Sequence, residues 1–167
     1  MIKGLDLLLA LVMVASLAAC GGKEESSFQA NQPSASSNPD NQSAKEVRIK
    51  LIMNPDEFIV KMYDNPTSRD FLSRLPLTLT FKEFGGFEKL TILEKELSTE
   101  DAPPGSDPEV GDLGYYAPWK DVNLYYKDWS YSSGLVKLGK IESGLEEFTK
   151  KLQDTKGDFT VTIQKID

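Results

Sequence analysis

The amino-acid sequence predicts a mainly-β protein, a barrel or sandwich of short strands plugged by two α-helices. Apolar and polar residues alternate in about eight short segments between Val47 and Ile163, as in strands buried on one face. Two other segments carry apolar residues at helical spacing behind helix-start signals. Residues 46–167 are long enough to bury one core and too short for two. Closure into a barrel would leave no exposed sheet edge.

The chain opens "MIKGLDLLLALVMVASLAACGG". Lys3 gives a weakly positive start, offset by Asp6, and the apolar run from Leu7 to Ala15 is too short to span a bilayer, which takes roughly 20 apolar residues. Residues 1–19 are expected to be a signal peptide and stand apart from the fold. Leu17-Ala18-Ala19-Cys20 resembles the bacterial lipobox, which implies a diacylglyceryl group on the Cys20 sulfur and cleavage just before it. The chain has 1 cysteine, so it can form no internal disulfide, and lipidation accounts for a lone thiol in an exported protein. From 21 to 45 the chain is rich in Ser, Asn, Gln and Pro, with Phe28 its one large apolar side chain. That composition cannot offset the entropy of ordering, so residues 20–45 are read as a tether reaching roughly 25–30 Å.

In "VRIKL", Val47, Ile49 and Leu51 share a face; in "FIVKM", Phe58, Val60 and Met62 do. Asn65 then caps a first helix with Pro66 at its first position, where a missing N–H costs nothing. Phe71, Leu72 and Leu75 form its apolar stripe, and Pro76 stops it. "LTLTF" sets Leu77, Leu79 and Phe81 against Thr78 and Thr80, and Gly85-Gly86 reads as a hairpin turn into the segment Lys89–Leu93. The stretch Leu93–Asp112 is acidic and centred on Pro103-Pro104-Gly105, hence an exposed, solvated loop. Strands follow at Leu113–Ala117, at "VNLYY" with Val122, Leu124 and Tyr126 aligned, and at Leu135–Ile141. Ser143 and Glu146 form a capping box for a second helix with Leu145, Phe148 and Leu152 as its stripe, and Gly157 follows its end. "FTVTI" closes the domain with Phe159, Val161 and Ile163 on one face.

Composition narrows the function. The net charge is −7, without a basic cluster, which argues against nucleic acid and against direct attraction to anionic head groups. With 0 histidines there is no Ser–His or Cys–His nucleophile and no imidazole ligand for zinc or copper. The acidic stretch matches no Asp-x-Asp-x-Asp-Gly calcium loop, and no glycine-rich phosphate cradle is present. No cofactor and no metal site are expected.

The stretch "GDLGYYAPWKDVNLYYKDWSYSSGLVKLGKIESGLEEF", with "YDNPTSRDFLSRLPLTLTF" upstream, resembles the bacterial cyclophilin-like fold family. That resemblance implies a closed barrel of about eight strands capped by two helices. More distantly the stretch is similar to true cyclophilins, which are peptidyl-prolyl isomerases. The resemblance then aligns Tyr126 with an aromatic residue of the proline pocket and Tyr116 with a small residue bordering the same groove. Isomerases of that kind also use an arginine in a Phe-His-Arg motif on an early strand. Here "LTLTF" offers Thr at that place, and Trp129 matches a groove tryptophan only loosely.

The remaining question is why Tyr115, Tyr116, Trp119, Tyr125, Tyr126, Trp129 and Tyr131 crowd into so short a stretch. Side chains alternate along a strand, so one of each adjacent tyrosine pair faces in and the other out. Most of these rings are expected to pack, and Tyr116, Trp119 and Tyr126 are the candidates to border a shallow cleft for an extended peptide or a flat apolar ligand. The sequence thus predicts a lipid-anchored, extracytoplasmic binding module of the bacterial envelope. Its partners would be a membrane, through Cys20, and a peptide or protein. No catalytic residue is assigned, and the alternative is a weak peptidyl-prolyl isomerase or envelope folding helper.

Overall fold

A computed structural model describes residues 46–166; Cys20, the signal peptide and the tether lie outside the described residues. The elements are β1 (Arg48–Met53), β2 (Asp56–Met62), α1 (Pro66–Ser73), β3 (Leu77–Phe84), β4 (Glu88–Ile92), β5 (Gly105–Ser106), β6 (Asp112–Tyr116), β7 (Asp121–Tyr125), β8 (Ser132–Ser133), β9 (Leu135–Ile141), α2 (Leu145–Asp154) and β10 (Phe159–Lys165). Eight strands close into a barrel in the order β1-β10-β3-β4-β7-β6-β9-β2, and β5 pairs with β8 as a separate ribbon. Every pairing is antiparallel. The alternating segments read from the sequence coincide with the barrel strands.

Strand parity decides what goes inside. Ile49, Leu51, Phe58, Val60, Phe81, Leu113, Tyr115, Val122, Leu124, Val161 and Ile163 are buried in one core. Phe71 from α1 and Phe148 and Leu152 from α2 complete it, with the Phe58 and Phe148 rings edge to face at 5.3 Å. Burying each such side chain contributes about 1.5–3 kcal/mol, so the helices act as the two plugs of the barrel.

The N-terminus of α1 forms as expected. The Asn65 side chain accepts the Ser68 N–H at 2.8 Å, and its amide donates to the Lys137 carbonyl at 3.0 Å, tying α1 to β9. The Gly85-Gly86 turn also forms, both residues having positive φ of 64° and 76°, as a tight hairpin between β3 and β4 requires.

Two expectations need correction. Ser143 does not cap α2: the cap position belongs to Gly144 at φ 73°, a left-handed entry that suits glycine, and no side chain satisfies the first turn. Glu146 and Glu147 still favour that end through the helix dipole. Leu145 is partly exposed, so the buried stripe is Phe148 and Leu152. Nor is the stretch 93–112 simply a solvated loop. Leu93 and Leu97 are buried, the Leu97 N–H donates to the Tyr115 hydroxyl at 3.0 Å, and Gly105–Ser106 pairs with Ser132–Ser133. Its acidic side chains from Glu94 to Glu109 do face solvent, but Asp112 is buried and meets the Lys137 ammonium at 2.8 Å. Apolar anchors every few residues outweigh the charge between them.

Candidate functional site: an aromatic cleft on the outer wall

On β7 the residues Val122 and Leu124 face the core, which sends Asp121, Asn123 and Tyr125 to the outer face. Register places Glu88 of β4 opposite Tyr125, and Gly114 and Tyr116 of β6 opposite Asn123 and Asp121. Gly114 matters here: a Cβ at this position would lie 3.1 Å from both the Leu135 side chain and the Tyr125 ring. Its absence lets Tyr125 lie down across the sheet.

The rim is aromatic. Trp119, on the turn between β6 and β7, meets the Tyr116 ring edge to face at 5.5 Å and the Phe84 ring at 5.4 Å. Phe84 meets Phe87 at 6.2 Å, and Trp129 stacks on Phe87 at 4.1 Å with planes 7° apart. Phe87 in turn lies nearly parallel to Tyr125 at 6.4 Å. The backbone of Trp129 is held too, its amide N–H donating to the Pro108 carbonyl at 3.0 Å. Six rings thus form one connected surface around a cleft of about 140 Å³. Trp119 and Trp129 remain 52% and 51% exposed although both are fixed by ring contacts. Such a patch is what a partner or ligand would cover.

The floor is polar and poor in donors. Glu88 is 5% exposed, Asn123 1% and Asp121 1%. The Asn123 amide N–H donates to one Asp121 oxygen at 3.2 Å, whereas Glu88 Oε2, Asn123 Oδ1 and Asp121 Oδ1 have no donor among the described residues. An unsatisfied buried acceptor costs about 1–3 kcal/mol. Burial pushes the Glu88 carboxyl up to about 7, helped by the nearby charge of Asp121 and opposed by the Tyr125 hydroxyl and the Asn123 amide. Burial likewise raises the Asp121 carboxyl. Glu88 and Asn123 line the cleft, with Asp121 beside them.

Of the expected cleft residues, Tyr116 and Trp119 are brought together and Tyr126 is not. Tyr126 has inward parity, is buried, and lies at a separate depression lined by Glu83, Lys89, Lys127 and Lys156. Its hydroxyl donates to Glu83 at 2.7 Å, and Glu83 also meets the buried Lys89 ammonium at 2.6 Å. The outward member of the pair, Tyr125, takes the cleft position instead. Phe84, Phe87 and Glu88 were not singled out in the sequence. The signal lay in the parity of β3, where Phe84 falls on the threonine face, and in the hairpin that folds Phe87 back beside it.

A larger groove of about 710 Å³ runs between β2 and α2, but its Lys151 and Asp56 side chains satisfy each other at 2.6 Å. The outer aromatic cleft has the unmet chemistry. The chain's arginines are committed elsewhere: Arg48 pairs with Glu46 and Glu142, Arg69 with Asp64, and Arg74 with Asp70. None lines the cleft.

Residues 51–164 match the model of the cyclophilin-like family. A hypothetical protein from Archaeoglobus fulgidus, solved in solution, is similar in fold with a TM-score of 0.51 and 21% identity, over 72% of this chain and 95% of that one. No curated protein matches.

Proposed function

Because this chain belongs to the cyclophilin-like family, we propose that it is a non-catalytic binding module whose outer aromatic cleft receives an extended peptide or a flat apolar ligand. The observation that carries this reading is the pair of half-exposed tryptophans, Trp119 and Trp129, each held in place by ring contacts above a buried polar floor. Rigid aromatic side chains dominate recognition surfaces, since they cover much area at little entropic cost. A binding role without turnover fits the cleft's lining. Prolyl isomerisation crosses a barrier of about 18–20 kcal/mol, and catalysis requires contacts that strengthen in the twisted state. No arginine is aimed at the cleft to supply them.

The module is proposed to hang from a bacterial membrane by a lipid on Cys20, with residues 21–45 as spacer. The Leu17-Ala18-Ala19-Cys20 signal and the lone cysteine support this. Metabolic labelling with a radioactive fatty acid should mark the wild-type chain and not Cys20→Ser; equal labelling of both would remove the anchor.

The cleft is tested through its own chromophores, since the chain's 2 tryptophans both stand at it. Titration with Ala-Pro-containing peptides should shift tryptophan emission, and Trp129→Ala should weaken binding by about ten-fold or more, the scale of an aromatic anchor. Exchange spectroscopy by NMR on the same peptides should show cis–trans rates unchanged by the protein. Rates accelerated to those of catalytic cyclophilins would replace the binding reading with the isomerase one.

A further inference from the structure

We propose that the outer cleft selects a cation, the lysine side chain of a bound peptide, seating its ammonium on the Glu88–Asn123 floor and its alkyl stem against the aromatic rim. The inference rests on the reading of the cleft as a peptide site and specifies what that site prefers. Glu88 and Asn123 line the cleft, and Glu88 Oε2 and Asn123 Oδ1 are buried without donors among the described residues. The Asn123 amide donates one N–H to Asp121 at 3.2 Å. An ammonium that enters brings three N–H donors and a charge that compensates an ionised Glu88.

The walls suit the same occupant. Aromatic rings attract a cation through the negative charge of their faces, most strongly for tryptophan, and an acid-floored aromatic enclosure is how ammonium groups are commonly held. The cleft volume of about 140 Å³ admits an alkylammonium. A Lys stem also buries its methylenes against apolar surface while its head finds charge. Lys89, next to Glu88 on β4, has inward parity and is taken by Glu83 and the Thr155 carbonyl. Lys82 of β3 acts by its charge on Asp121 and does not line the cleft.

Titration adds a second signature. The groups facing Glu88 are Tyr125, Asn123 and Asp121 of β7 and Glu83 of β3, and the charged ones among them are acidic. Glu88, pushed up to about 7, is largely protonated at pH 6 and largely ionised at pH 8. A cation should bind the ionised form, so its affinity should rise across that range by about ten-fold, the change in the ionised fraction.

The experiment compares two peptides that differ in one side chain, Ac-Ala-Lys-Ala-NHMe and Ac-Ala-norleucine-Ala-NHMe, titrated against the full chain in detergent by tryptophan emission. n-Butylammonium alone serves as a third arm for a free amine. At pH 8 the lysine peptide should bind at least ten-fold tighter than norleucine, and tighter than butylammonium. Glu88→Gln, which keeps shape and hydrogen-bonding size, should abolish that preference and its pH dependence. Equal affinity for lysine and norleucine would overturn the cation inference and leave the cleft reading standing. Binding of butylammonium as tight as the peptide would overturn the assignment to a peptide side chain. If no probe shifts the emission, both readings fall together.

Discussion

At the scale of single residues, Glu88 has the largest consequences. Its carboxyl sits at about 7 in the folded protein against 4.5 when unperturbed, because burial penalises the charged form. The folded state therefore holds a proton that the unfolded chain releases, and stability declines as pH rises from about 4.5 through 7. Glu88→Gln removes the group that must ionise. It should leave thermal stability nearly unchanged at pH 4.5 and raise it at pH 8, by about 3 kcal/mol from the separation of the two pKa values. Thermal melts at the two pH values check this; equal gains at both would show packing rather than titration at work. Tyr115 and Tyr126 show how one residue's parity decides its role. Each has inward parity and a buried ring, and each spends its hydroxyl on a single internal partner, the Leu97 N–H and Glu83 respectively.

At the scale of elements, α1 does more than plug the barrel. Arg74, which closes its last turn, meets both Asp70 oxygens at 3.0 and 2.8 Å and donates to the carbonyls of Lys95 and Glu96 at 2.8 and 2.6 Å. Asp70 also accepts the Ser98 N–H at 2.7 Å. One ion pair thus pins the stretch 95–98, which carries Leu97 into the core. Arg74 beside Asp70 holds that carboxyl below its usual value, so this contribution is present above about pH 4 and lost as pH falls further. Arg74→Ala should cost about 1–3 kcal/mol, mostly from the carbonyls and carboxylate left without donors. Amide exchange should quicken at residues 95–99 while β1 and β10 stay protected. Uniform quickening would mean the loop is not a separable unit. The α2 cap teaches the complementary point: a capping-box sequence was present, yet a left-handed Gly144 took the position one residue later.

At the scale of the whole molecule, closure depends on a short seam. β2 and β9 pair through Val60↔Ile141, Lys61↔Lys140 and Met62↔Gly139, whereas β1 and β2 pair over their full length. At Gly139 an added Cβ would lie 2.7 Å from the Lys61 carbonyl oxygen and 2.8 Å from a Val60 methyl. Backbone cannot yield cheaply there. Gly139→Ala should therefore destabilise the domain by about 1–3 kcal/mol, as overpacking does, and denaturant unfolding would measure it. A change below about 0.5 kcal/mol, the range of neutral surface substitutions, would show that the seam is looser than its geometry indicates.

Much of this architecture was legible in the sequence because it rests on local rules. A period of two set the barrel strands and sorted Val122 and Leu124 from Asn123; Asn65-Pro66 fixed the start of α1; Gly85-Gly86 fixed a hairpin. Each follows from sterics and hydrogen bonding within a few residues. The composition of the cleft did not follow. Phe84, Phe87, Tyr116 and Trp129 come from separate strands and loops, and what unites them with Glu88 is barrel register, which no local pattern encodes. Parity already aligned Tyr126 with the inward Val122 and Leu124 and left Tyr125 to face out. Only the closed barrel decided which rings Tyr125 would meet, because its neighbours Phe87 and Glu88 reach it through the register of another strand pair.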